Sequence, residues 1–290
     1  MKLITFLYNG EERIGVITDN EKKVCPIKGF CSMTELIERA DKLRLMEIAE
    51  MANTDKDAID IEETVRKSPI PRPKQDVICL GINYTEHAKE SERFHKEAFG
   101  GERPYPIYFS KRVNESPADG DDICGHFDIV DSLDYEVELG VIIGKDAKNV
   151  DIENVKDYIF GYTVINDVSA RNVQTAHKQW YFGKSLDGFT PMGPCLVTAD
   201  EIDYPPALKI TSKINGQIRQ NSTTDLLITD IDHIISELSK GFTLQAGTII
   251  ATGTPSGVGM GMIPPTFLNE GDIVECEIEK IGKLRNRIVK

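Results

Sequence analysis

Apolar and polar positions alternate in short runs along much of this 290-residue chain. A strand repeats every second residue on one face, and a helix every three to four. Residues 3–8, the pair Asn9-Gly10 and residues 13–17 read as a hairpin or two short strands. Residues 33–51 carry helical spacing and good helix formers. The segment Ser68-Pro69-Ile70-Pro71-Arg72-Pro73 should be extended, because proline biases the preceding residue away from helix. It is the expected boundary between a small N-terminal domain, 1–70, and a larger domain, 71–290.

Residues 76–81 look like a buried strand ending at glycine. Residues 84–101 are polar with helical character, and Gly100-Gly101 would serve as a hinge. Strand-like runs follow at 107–109, 137–143, 162–165, 249–251 and 273–278, with one clear helical pattern at 230–240. Many strands, few helices and frequent glycine and proline predict an α+β chain that is mostly β, not a doubly wound fold.

The net charge of −13 argues against a nucleic-acid partner, which needs clustered Lys and Arg, and against an anionic membrane surface. An anionic small substrate stays open, since a metal and a few basic side chains reverse a local field. The six cysteines are scattered, without a CxxC pair, which suits a reducing cytoplasm. The apolar run at 3–8 is too short for a signal peptide, and no window reaches the roughly 18 apolar residues of a membrane helix.

The chemistry is concentrated in a few places. In Leu133-Asp134-Tyr135-Glu136-Val137-Glu138-Leu139, Glu136 and Glu138 point to one side of a strand, with Tyr135, Val137 and Leu139 on the other. Two like charges that close need a cation between them, or else a solvated strand face. Asp167, after the apolar run 161–165, suits either a third ligand or a helix N-cap. Lys184, in Gly183-Lys184-Ser185, lacks the upstream spacing of a P-loop; it is either a site cation or a surface lysine. The glycine-rich stretch 252–259 reads as a backbone cradle for a carboxylate or as a tight turn. His87 and Glu90 share a helical face, as a water-activating pair or as an exposed ion pair.

Taken in order, these segments resemble the fumarylacetoacetate hydrolase family. The likeness rests on Gly81-Ile82-Asn83-Tyr84 with His87 and Glu90, and on the 133–139 stretch. It continues through Asn166-Asp167-Val168-Ser169-Ala170-Arg171 with Gln174, and through 180–187. Pro191-Met192-Gly193-Pro194 and 251–259 complete it. It runs from about residue 75 to the end and implies a mixed β-roll C-terminal domain; residues 1–70 resemble the small N-terminal α/β domain of some bacterial members.

The resemblance implies Mg2+ or Mn2+ held by Glu136, Glu138 and Asp167. It places Lys184 beside the metal, Thr254 and its loop on a substrate carboxylate, and Arg171 and Gln174 in the pocket. His87 and Glu90 match a catalytic dyad carried on a lid. The chain departs from its relatives at Lys111-Arg112-Val113-Asn114, and Gly120-Asp121-Asp122 keeps part of the following segment. A homodimer is implied as well.

The implied activity is hydrolysis of a C–C bond in an acylpyruvate-like 2,4-diketo acid, through an enolate stabilised by the metal. Decarboxylation of an oxaloacetate-type acid and isomerisation of a 2-hydroxymuconate-like diacid use the same design. A catalytically silent, metal-dependent dicarboxylate binder is the reading outside enzymology.

Overall fold

The computed structural model describes residues 1–18, 21–54, 58–99 and 105–290. The expected hinge at Gly100-Gly101 lies outside the described residues.

Strands β1 (Lys2–Tyr8) and β2 (Glu11–Ile17) form the expected hairpin. Asn9 and Gly10 both take positive φ at its turn, the backbone that matches the twist of paired strands. After β3 (Lys23–Pro26), the helical segment expected over 33–51 is two helices, α1 (Met33–Arg39) and α2 (Lys42–Thr54). Ala40 is extended, and the Arg44 N–H donates to Asp41 at 2.8 Å, so an acidic cap restarts the helix. Two short strands follow, β4 (Ile59–Asp60) and β5 (Val65–Lys67).

The remaining chain begins with β6 (Val77–Gly81), α3 (Thr85–Phe94), α4 (Lys96–Phe99) and β7 (Ile107–Lys111). Next come β8 (Asp122–Cys124), β9 (Leu133–Asp134), β10 (Val137–Ile143), β11 (Ile159–Asn166) and β12 (Ser169–Ala170). Helices α5 (Arg171–Ala176) and α6 (Tyr181–Lys184) precede β13 (Met192–Thr198), β14 (Lys209–Ile214) and β15 (Gln217–Thr223). Helix α7 (Ile231–Gly241) leads to β16 (Ile249–Ala251), β17 (Ile273–Ile278) and β18 (Gly282–Val289).

The architecture is α+β and mostly β. A large mixed sheet runs β4-β3-β2-β1-β13-β11-β10-β16-β6-β7, with β5 also on β1. A second sheet runs β15-β14-β17-β18-β8. Since β1 pairs with both β2 and β13, the N-terminal strands and the later ones share one hydrogen-bonded sheet.

Strand β10 lies at the centre and is buried along its whole length. Its period of two divides the core. Val137, Leu139, Val141 and Ile143 join the cluster that includes Ile210, Val274, Cys276 and Ile278 of the second sheet. Ile142 joins a different cluster with Leu3, Leu36 and Ile165. Helix α7 covers the first cluster with Ile231, Ile234, Ile235 and Leu238, a helical stripe, and Asp230 caps it by accepting the His233 N–H at 2.8 Å.

A candidate metal centre beneath a closed helix

The site forms where β10 and β11 meet. Val137 is paired with Asn166, so the residues just before and after that pair face each other. Glu136 donates its N–H to Asn166 Oδ1 at 3.0 Å and accepts the Asp167 N–H on its carbonyl at 2.8 Å. Glu136 precedes β10 and Glu138 lies within it, yet both carboxylates turn to one side. Carboxylate oxygens of Glu136, Glu138 and Asp167 lie within 4.8 Å of one another, and all three residues are buried.

Buried cations surround this acid cluster. Lys184, at the end of α6, donates to Glu136 Oε2 at 2.6 Å and to Asp167 Oδ2 at 2.7 Å. Arg171, the first residue of α5, donates from Nη2 to Glu136 Oε1 at 2.5 Å and from Nη1 to Gln174 Oε1 at 3.0 Å. Lys111, at the end of β7, is fully buried and donates to Asp167 Oδ1 and, at 3.0 Å, to the Val168 carbonyl.

These partners divide the two glutamates. Burial pushes the Glu136 carboxyl up, but Lys184 and Arg171 more than offset this and hold it well below the usual range. Burial also raises Glu138, and the neighbouring Asp167 and Glu136 add to it, so its carboxyl is pushed well above 4.5. Among the described residues Glu138 has no ion pair; the Gly253 N–H donates to its Oε2 at 2.8 Å. Gly253 sits at φ +97°, and a Cβ there would meet Asn83, so glycine is required for that approach.

The two lysines shift oppositely. Burial lowers both, but Lys184 has two carboxylate partners and ends raised, whereas Lys111 has one and ends lowered.

A hard divalent cation fits this donor set. It is all carboxylate oxygen, it is buried, and one carboxylate has no ion pair among the described residues. Asp167 is not a helix cap: α5 starts at Arg171 with Ala170 before it. Lys184 is not a surface lysine.

Helix α3 closes over the centre and buries His87 and Glu90, with His87 Nδ1 2.9 Å from Glu90 Oε1. The underside of α3 rests on a small cluster, Ala88 and Phe94 against Ile82, Val258 and Met260. At the helix root Ile82 takes φ +57°, uncommon for a β-branched residue. Asn83 anchors it, its side chain donating to the Thr229 and Thr252 carbonyls at 2.9 Å. The cavity between His87, Glu136, Glu138, Arg171, Lys184 and Thr254 is about 10 Å³, which is room for about one water.

The glycine-rich loop serves the protein's own acids. The Gly257 N–H donates to both Glu90 oxygens at 3.1 Å, and the Gly259 N–H to Asp134 at 2.7 Å. The Thr254 hydroxyl donates to the Val137 carbonyl at 2.9 Å and accepts from Gln220 at 2.7 Å. Sequence reasoning missed Lys111 and Asp134 as site residues. Lys111 was visible only as period two, on one strand face with Phe109, whose ring lies 5.2 Å from Lys184 Nζ.

Residues 76–289 match the family described as fumarylacetoacetate (FAA) hydrolase C-terminal. The chain belongs to the fumarylacetoacetate hydrolase family. The family's members are enzymes. The chain is 40% identical over 286 residues to oxaloacetate tautomerase YisK of Bacillus subtilis, covering 96% of this chain and 93% of that protein. It superposes with a TM-score of 0.84 on a fumarylacetoacetate hydrolase of Exiguobacterium antarcticum, at 36% identity, covering 100% of this chain and 99% of that one. A 5-carboxymethyl-2-hydroxymuconate delta-isomerase from Mycobacterium smegmatis is similar at a TM-score of 0.77 and 27% identity, covering 100% and 99%. Among the described residues no helix is long and apolar enough to cross a membrane.

Proposed function

We propose that this protein catalyses metal-dependent enolate chemistry on a small 2-oxo diacid, and that its reaction is keto–enol tautomerisation of oxaloacetate. One observation carries the reading: His87, paired with the buried Glu90, lines the same cavity as Glu136, Glu138 and Lys184. The likeness to the Bacillus tautomerase supports reading the reaction as proton transfer rather than the hydrolysis that the sequence ranks first.

A divalent cation on Glu136, Glu138 and Asp167 would supply Lewis-acid polarisation of a 2-oxo carboxylate. The chain's own residues do the rest. Glu90 takes the Nδ1 proton of His87 in a hydrogen bond and leaves Nε2 as the base. Nε2 removes the proton from C3 of the keto acid. Lys184 spends two of its three N–H donors on Glu136 and Asp167, and the third meets the charge that develops on the C2 oxygen. Returning the proton to that oxygen gives the enol, with no atom gained or lost. Closure of α3 keeps bulk water from the charge.

The test is the decay of enol absorbance of oxaloacetate with purified protein and Mg2+ or Mn2+, against the metal alone. A rate no faster than the metal control overturns the proposal. The second reading, C–C hydrolysis of an acylpyruvate, is supported by the similarity to the Exiguobacterium hydrolase. It predicts two carboxylic acid products by mass, which a tautomerase does not release.

A further inference from the structure

Asp134 has no part in that reaction, yet it is fully buried and bonded at every acceptor position. Its Oδ1 accepts the N–H groups of Tyr135 at 2.9 Å and Gly259 at 2.7 Å. Its Oδ2 accepts Arg171 Nε at 2.9 Å and the Met260 N–H at 3.0 Å. Four donors saturate a carboxylate.

The two sides of this carboxylate lead to different places. On one side, Arg171 passes from Asp134 through Nε to Glu136 through Nη2. The guanidinium is a rigid planar fork, so fixing Nε fixes the direction of Nη2. On the other side, Gly259 and Met260 belong to the turn Gly259–Gly261 on which α3 rests. Glu90 lies directly over Gly261, where an added Cβ would fall 2.2 Å from Glu90 Oε2. Glu90 also holds the N–H of Gly257. An unbroken path therefore runs from Glu90 through 257–261, Asp134 and Arg171 to Glu136.

We propose that Asp134 is a positioning residue that couples the seating of α3 to the placement of the Glu136 carboxylate. This rests on the reading of Glu136 as a metal ligand. When α3 is seated, the 259–261 turn presents two N–H groups to Asp134, which holds the Arg171 fork and hence Glu136 in place. When α3 lifts, that turn loses the support of Ile82, Ala88 and Glu90, and the fork loosens. Linkage is reciprocal: a cation that favours the pinned Glu136 favours the seated helix.

The test is Mn2+ binding by calorimetry, joined to hydrogen exchange of residues 85–94 with and without Mn2+. In the wild-type protein Mn2+ should slow exchange across α3. Asp134→Asn must turn its NH2 toward one pair of its four donors, whichever way the amide faces, and so loses one side of the link. It should bind Mn2+ about tenfold more weakly and lose most of the Mn2+-induced slowing, with α3 still helical. Arg171→Lys keeps the charge but loses the planar fork that ties the direction of one carboxylate to the other, and should show the same loss. Wild-type protein that binds Mn2+ without slower exchange in α3 overturns the coupling, with no variant needed. Asp134→Asn that matches wild type in both measurements overturns the role of Asp134. Wild-type protein that binds no Mn2+ would instead remove the metal reading itself.

Discussion

Glu90 folds its carboxylate over the backbone of Gly257 and accepts that N–H through both oxygens at 3.1 Å. The helix that carries the His87–Glu90 pair is therefore fastened to the site by one of the pair's own members. Glu90 both orients His87 and holds α3 down.

Gly261→Ala tests that double role. The backbone at Gly261 tolerates alanine, but the new Cβ would crowd the Glu90 carboxylate. Glu90 must shift, and with it the Nδ1 partner of His87. Turnover should fall at least tenfold, and Mn2+ affinity by calorimetry should weaken with it, because Glu90 also supports the turn that holds Asp134. Unchanged turnover would show that the seat of Glu90 does not matter.

His87→Gln removes the base and leaves the carboxylates alone. Positioned general bases contribute roughly 10²–10⁴-fold. The kcat should drop within that range, with the calorimetric Mn2+ affinity retained. A drop of only a fewfold would place the base elsewhere.

Glu138 gives the metal-free protein a pH signature. Its folded pKa is raised well above 4.5, so it supports the fold fully below 4.5 and loses that support as pH rises through the raised value. Glu136 is shifted down, so its contribution is present above 4.5 and lost only as pH falls through its depressed value. The two windows do not overlap. Chelator-treated protein should lose Tm as pH climbs above 4.5, and Glu138→Gln should flatten that loss. Added Mg2+ should do the same, because a cation favours the ionised carboxyl. Identical slopes for wild type and Glu138→Gln would remove the assignment.

Lys111→Met deletes a buried cation and leaves Asp167 and the Val168 carbonyl short of a donor. Removing one partner of a buried pair costs about 3–5 kcal/mol. Denaturant unfolding should show a loss of that order, and Asp167→Asn in the same chain should restore part of it. A loss under about 1 kcal/mol would mean that Lys184 alone satisfies Asp167.

Much of this protein was legible in its order of residues. Period-two runs gave β10 and the hairpin, and helical spacing gave α7, because those patterns reflect burial on one face. The break between α1 and α2 was not legible, since Ala40 is a good helix former and only the fold turns the chain there. Glu136, Glu138 and Asp167 stood out because paired acids in apolar runs are costly without a partner. Asp134 and Lys111 did not stand out, because a single acid or lysine at a strand end has many ordinary uses.

The sequence by itself determined the strands, the acid cluster, the family likeness and the candidate dyad. These are local or collinear properties. Only the tertiary structure decided which cations meet which acids, and that Glu138, unlike Glu136 and Asp167, has no ion pair among the described residues. It also decided that the glycine-rich loop spends three N–H groups on Glu138, Glu90 and Asp134. Those facts depend on side chains far apart in the chain, such as Lys111 with Asp167 and Gly257 with Glu90, being brought within hydrogen-bond reach. Burial then gives each contact its weight, because a buried charge must find a partner or shift its pKa.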